Sequence, residues 1–124
     1  MWRIHGKEVE FKLSKHLSHS EFKCRCNLNH CNFTIVYPSL LDAFESLREK
    51  IGKPLIVTSG FRCQSHNFKV GGLPNSRHTR GQAIDIAVPE GVSPMEFFKV
   101  CRKTFDFADI YLGENFVHCH MEAK

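Results

Sequence analysis

The sequence predicts an α+β domain, a small and largely antiparallel sheet packed with two main helices. Three observations carry that prediction. Two segments repeat apolar residues at helical spacing, Leu40, Leu41, Phe44, Leu47 and Ile51 in one, Phe97, Phe98, Val100, Cys101 and Phe105 in the other. Short β-branched or apolar runs bounded by glycine and proline recur at 55–59, 83–88, 108–112 and 115–121. Helices and strands are partly segregated in order, which suits an α+β arrangement better than regular alternation.

The first element is a short helical turn at "SHSEF", where Ser18 and Glu21 stand at capping-box spacing and Phe22 points inward. It runs into a cysteine-rich loop. From Pro38 the apolar stripe is opposed by Asp42, Glu45, Arg48 and Glu49, and Gly52 followed by Pro54 stops the helix. "LIVTS" at 55–59 reads as a buried strand between Pro54 and Gly60. Residues 60–83 are too rich in glycine and polar groups for a long element and predict one short helix over 66–70; long ordered loops in small domains usually carry function. "AIDIAV" resumes as a strand at 83–88. Ser93 and Pro94 supply an N-cap and first-turn proline for the second main helix. Strands at 108–112 and 115–121 then pair across a tight Gly113-Glu114 turn.

The 124 residues form one domain, and 42% apolar residues with eleven phenylalanines suffice for a core. The formal charge of +4 is spread along the chain with no basic block and no aromatic-basic interleaving, which argues against a nucleic-acid partner. No apolar run approaches the roughly 20 residues of a membrane span, and "MWRIHGKEVEFK" lacks a secretory apolar core. A soluble monomer without its own export signal is the expectation. Six cysteines, at 24, 26, 31, 63, 101 and 119, permit a disulfide framework. Cys24, Cys26 and Cys31, beside His30, also permit a second, structural metal site, but the spacing is not that of a zinc knuckle and no fourth ligand is evident. Free or paired thiols are therefore expected there.

The chemistry concentrates in "NSRHTRGQAIDIAV", where His78 precedes Asp85. Singly, each has an ordinary reading: a solvated loop histidine, and an aspartate that caps a turn or pairs with Arg62, Arg77 or Arg80. Asp85, however, lies inside an apolar strand, where an unpaired carboxylate costs several kcal/mol, so a cation nearby is expected. A catalytic zinc site needs a third protein ligand and an open position. The last strand offers His118 and His120, which share one face, with Cys119 packing on the other. The remaining histidines, His5, His16, His19, His30 and His66, show no such pairing and are expected at the surface.

Taken together, "TSGFR", "HN..VGG.PNSRH..GQAIDI" and "FVHCH" resemble the zinc D-alanyl-D-alanine carboxypeptidase family, which includes D,D-dipeptidases and phage endolysins and shares its fold with Hedgehog domains. The similarity covers about residues 18 to 121 and is closest to the short, single-domain branch. The resemblance implies one catalytic zinc ion held by His78, Asp85 and His118. It implies that Arg62 sits over the site, stabilising an oxyanion or holding a substrate carboxylate, and that Ser76 contacts the bound peptide. The chain departs from several relatives at Asn115, where they carry an acid. Proton transfer then falls to His120, the favoured candidate, or to Glu114. The implied function is a metallopeptidase cutting peptidoglycan stem peptides or cross-links, as carboxypeptidase or endopeptidase, acting at the cell wall or periplasm if of endolysin type. The alternative is a catalytically inactive zinc-binding module of the same fold that binds peptidoglycan or protein.

Overall fold

The computed structural model describes residues 1–111 and 113–123. A four-stranded antiparallel sheet carries the domain, built from β5 (Val57–Ser59), β6 (Ala83–Ala87), β8 (Phe116–His120) and β7 (Phe107–Ile110), in that spatial order. Two main helices, α2 (Pro38–Ile51) and α4 (Pro94–Thr104), pack with it, as the apolar periodicity predicts. Proline at its start opens α2, and Gly52 at φ 70° closes it. At the start of α4 the Ser93 hydroxyl accepts from Glu96 N at 3.1 Å.

Strand alternation sorts the sheet into two faces. Ile84 and Ile86 of β6 and Val117 and Cys119 of β8 are fully buried, and they join one core with Leu40, Phe44 and Leu47 of α2 and Phe97 and Cys101 of α4. Each fully buried large side chain contributes about 1.5–3 kcal/mol. The opposite face carries the residues that alternate with these. In the β6–β8 register Asp85 lies directly across from His118, and Ala83 across from His120. Cross-strand partners share a face, so the sheet itself brings Asp85 and His118 together.

The C-terminal hairpin differs from the expected tight turn. Pairing of β7 with β8 ends at Ile110 opposite Val117, leaving a longer connection in which Glu114 N donates to Tyr111 O at 3.0 Å. The reason is competition from the other neighbour: Phe116 pairs with Ala87, and Asn115 O accepts from Val88 N at 3.0 Å, so the start of β8 belongs to β6. Of the strand expected at 108–112, Leu112 lies outside the described residues.

Ahead of the main sheet are two small ones with no expected counterpart: β1 (Trp2–His5) with β4 (Phe33–Val36), and β2 (Lys12–Ser14) with β3 (Leu17–Ser18). The short α1 (His19–Phe22) follows β3, with Glu21 Oε1 accepting from Ser18 N at 3.0 Å and Phe22 fully buried. His19, expected at the surface, is fully buried instead. Its ring nitrogens bond Val9 O at 2.6 Å and Thr34 Oγ1 at 2.8 Å, so both polar atoms are satisfied by partners distant in sequence. His66 is half-buried rather than exposed. The irregular stretch after β5 holds α3 (Gln64–Lys69) and a 3₁₀ turn, Arg77–Arg80. Among the described residues no helix is long and apolar enough to cross a membrane.

Candidate metal centre

The polar face of the sheet meets the 3₁₀ turn at His78. Ser76 caps that turn, its hydroxyl accepting from His78 N at 3.2 Å, and Arg62 N donates to His78 O at 3.1 Å. His78 is buried. Its Nδ1 lies 2.7 Å from Gly60 O, and since a carbonyl only accepts, Nδ1 carries the proton. A neutral His78 thus presents a bare lone pair at Nε2, which faces Asp85 Oδ1 at 3.1 Å. Two acceptors at that distance require a proton or a cation between them. His118 completes the group, with Nδ1 2.9 Å from the same Oδ1. Ligand atoms of His78, Asp85 and His118 all lie within 4.8 Å of one another. Two imidazoles and a carboxylate are a donor set that fits zinc.

Asp85 is buried, and burial alone would raise its pKa. Hydrogen bonds with His118 and His78 outweigh that and hold it at about 2. Arg62 adds a cation, with Nη2 3.5 Å from Asp85 Oδ2. Its guanidinium is held from two other sides, Nε by Ser59 Oγ at 3.0 Å and Nη1 by Asn67 Oδ1 at 3.2 Å. Asn67 in turn donates to Leu73 O at 2.7 Å. This packing explains part of the "VGG" string, because a Cβ on Gly72 would collide with the Asn67 side chain and crowd Arg62 Nη1. Gly60 is required in the same way: a Cβ there would strike the Phe22 backbone.

The triad opens on a cavity of about 530 Å³, also lined by Arg62, Ser76 and His120. Against this geometry, the sequence of residues 15–120 matches the family model of peptidase M15. The chain belongs to the peptidase M15 family. No curated protein matches it significantly. The M15 family is one of zinc-dependent peptidases, so the substrate is a peptide, and the fold expected from the resemblance is the one observed.

The two sequence candidates for proton transfer stand in different places. His120 lines the cavity of this M15 domain, whereas Glu114 is exposed in the β7–β8 connection and does not line it. The His120 ring stacks on Phe107, with centroids 4.6 Å apart. Its Nδ1 is 3.0 Å from His118 Nε2, and its Nε2 is 3.2 Å from Glu122 Oε1. Burial first, then the neighbouring Arg77 guanidinium and His118 ring, push the His120 pKa down to about 4. Glu122, whose Oε2 also accepts from Arg77 Nη2 at 2.9 Å, was not singled out by sequence because it lies beyond the last strand. Asn67 was visible only as part of the "HN" string.

None of the six cysteines is in a disulfide, within the expectation of free or paired thiols, and Cys24, Cys26 and Cys31 gather with a fourth, Cys63, that sequence spacing did not point to.

Proposed function

We propose that this chain is a zinc-dependent metallopeptidase acting on peptidoglycan stem peptides or cross-links, with His78, Asp85 and His118 as the metal ligands. The observation that carries the reading is the convergence of His78 Nε2 and His118 Nδ1 on Asp85 Oδ1 beside an open cavity, with His78 Nδ1 already taken up by Gly60 O. A zinc ion held there would supply Lewis-acid polarisation of the scissile carbonyl and activation of water.

The chain's own residues supply the rest. The Gly60 carbonyl fixes the His78 tautomer. Arg62, restrained by Ser59 and Asn67, directs its guanidinium at the cavity, where it stabilises an oxyanion or clamps a substrate carboxylate. Ser76 Oγ already accepts from His78 N, which leaves its hydroxyl proton to donate to a bound peptide. Exposed Val70 and Leu73 form an apolar lip at the cavity for substrate side chains. His120 handles the proton: Nε2 donates to Glu122 Oε1, which stabilises the imidazolium, so the collecting nitrogen is Nδ1, and it must exchange its 3.0 Å contact with His118 Nε2 for the proton. Its position in the cavity wall favours it over Glu114. The arrangement serves a carboxypeptidase or an endopeptidase, and a mildly basic catalytic domain suits an anionic cell wall in the manner of an endolysin.

One observation favours a second reading, a zinc-binding module without turnover. Asp85 is the only carboxylate lining the cavity among the described residues, so no acid stands free to act as base. Incubation with purified peptidoglycan, with and without a zinc chelator, decides between them. The peptidase releases D-alanine or new amino termini in a zinc-dependent manner; binding to the polymer with no product at any pH establishes the module.

A further inference from the structure

We propose that Cys24, Cys26, Cys31 and Cys63 bind a second zinc ion whose role is structural. The four sulfurs lie within 4.8 Å of one another. The Cys26 and Cys63 sulfurs are 3.8 Å apart. Four thiolates at a Zn–S distance of about 2.3 Å on a tetrahedron place their sulfurs about 3.8 Å from each other, whereas a disulfide requires about 2.05 Å. The observed spacing is that of co-ligands. Three of the four come from the loop that follows α1, and the fourth caps α3.

The groups around the sulfurs independently point to a charged cluster. Cys63 N donates to Cys24 Sγ at 3.3 Å, and His66 N to Cys63 Sγ at 3.4 Å. Lys7, only 7% exposed, places its ammonium 3.2 Å from Cys26 Sγ and 3.8 Å from Cys31 Sγ, with Cys26 O accepting from it at 2.7 Å. Burying an ammonium among neutral thiols leaves its charge uncompensated. A divalent ion with four thiolates has a net charge of −2, which Lys7 partly neutralises while its N–H groups bond the sulfurs. Such donors are what orient thiolate ligands in metal sites.

Four soft donors in a tetrahedral set select zinc over calcium or magnesium. Four protein donors fill a tetrahedral set, so the site keeps no position for substrate even though Cys26 is half-buried beside a surface cavity. On binding, four S–H bonds break, four Zn–S bonds form, and the protons pass to solvent. The ion ties the loop at 24–31 to the residue that follows Arg62, at the helix whose Asn67 holds that arginine. It therefore fastens the cavity wall from behind without touching substrate.

Metal and thiol stoichiometry of the full chain, purified under reducing conditions, tests this separately from the catalytic reading. The wild-type protein is expected to hold two zinc ions and His118→Ala one. In His118→Ala, titration with a mercurial that captures thiolates should release that remaining ion as four thiols react. Cobalt(II) substituted into His118→Ala should show sulfur-to-cobalt charge-transfer absorption, lost in His118→Ala with Cys26→Ser. Because Cys26→Ser sits at the half-buried ligand, it is the variant to make; if it fails to fold, the mercurial release and the cobalt spectrum of His118→Ala alone decide. No metal in His118→Ala, iron in place of zinc, or disulfides among these cysteines would each overturn the proposal. A failed catalytic reading leaves a different signature, one sulfur-bound ion in the wild type and the same one in His118→Ala.

Discussion

The chain gathers two sets of side chains that could each hold a metal ion, and they are built on opposite plans. His78, Asp85 and His118 stand on a strand pair and the turn beside it, with nitrogen and oxygen donors open to a cavity. Cys24, Cys26, Cys31 and Cys63 stand on loops and a helix cap, with four sulfur donors, three of them buried, and the Lys7 ammonium beside them. Three donors with an open side leave room for a reacting group, while four soft donors without one leave room only for the ion. The rigid sheet carries the set that must hold a geometry for chemistry, and the irregular segments, lacking a ladder of their own, carry the set that supplies a cross-link. Form at each site thus follows from the scaffold available to it.

The largest expected effect breaks the open site alone. His118→Ala should lower peptidase activity by at least about a thousandfold, about 4 kcal/mol of transition-state stabilisation. Zinc content should fall by one equivalent, with the thermal midpoint changing little compared with the loss of a sulfur ligand. Cys63→Ser is the reciprocal break. Loss of the closed site should cost about 3 kcal/mol of stability, seen by calorimetry as a fall in Tm of roughly 10 °C, and should loosen Arg62 enough to raise KM. Equal losses of stability in the two variants would erase the distinction between an open and a closed site.

A smaller effect sharpens the open site internally. His120→Gln is expected to lower kcat by about tenfold to a hundredfold while zinc stays bound, and Glu114→Gln to leave kcat unchanged. Competition with a zinc chelator is the check. If His120→Gln instead weakens zinc binding by a similar factor, His120 acts by orienting His118 through the 3.0 Å contact between their rings and not by moving the substrate's proton.

Legibility in the sequence followed the same divide. His78 and Asp85 could be joined on paper to a third ligand on the last strand because Asp85 in an apolar strand calls for a cation and alternation places His118 and His120 on one face, while the choice of His118 over His120 came from the family resemblance. Antiparallel register then does what alternation cannot state, setting Asp85 across from His118. Cys63 had no local signal, since its partnership with the loop at 24–31 exists only after β5 and α1 are brought together by the Phe61 N to Phe22 O bond of 2.8 Å. Glu122 was hidden for a similar reason, lying beyond the end of β8 and mattering only through His120 and Arg77. The β1–β4 pair was missed because both strands are short and are joined across a long, irregular segment. His19 went with it, its burial depending on Thr34 of β4.

The smallest expected effect lies outside both sites and serves as their control. Glu45 of α2 accepts from Ser14 Oγ at 2.6 Å and from His16 N at 2.8 Å, and its Oε1 lies 2.7 Å from His16 Nδ1, fastening the β2–β3 hairpin to the helix. Burial works to raise its pKa, but the bonds from Ser14 and His16 outweigh it and bring the carboxyl below the ordinary 4.5. A carboxyl lowered in the folded state binds fewer protons there than in the unfolded chain between the two pKa values, so its contribution is fully present above pH 4.5 and is lost as pH falls through the depressed value. Glu45→Gln should therefore flatten the stability profile below pH 4.5 in denaturant titrations while leaving both zinc equivalents in place at neutral pH. Loss of either ion in that variant would mean that the hairpin, and not only the ligands and their supports, is coupled to the metal sites.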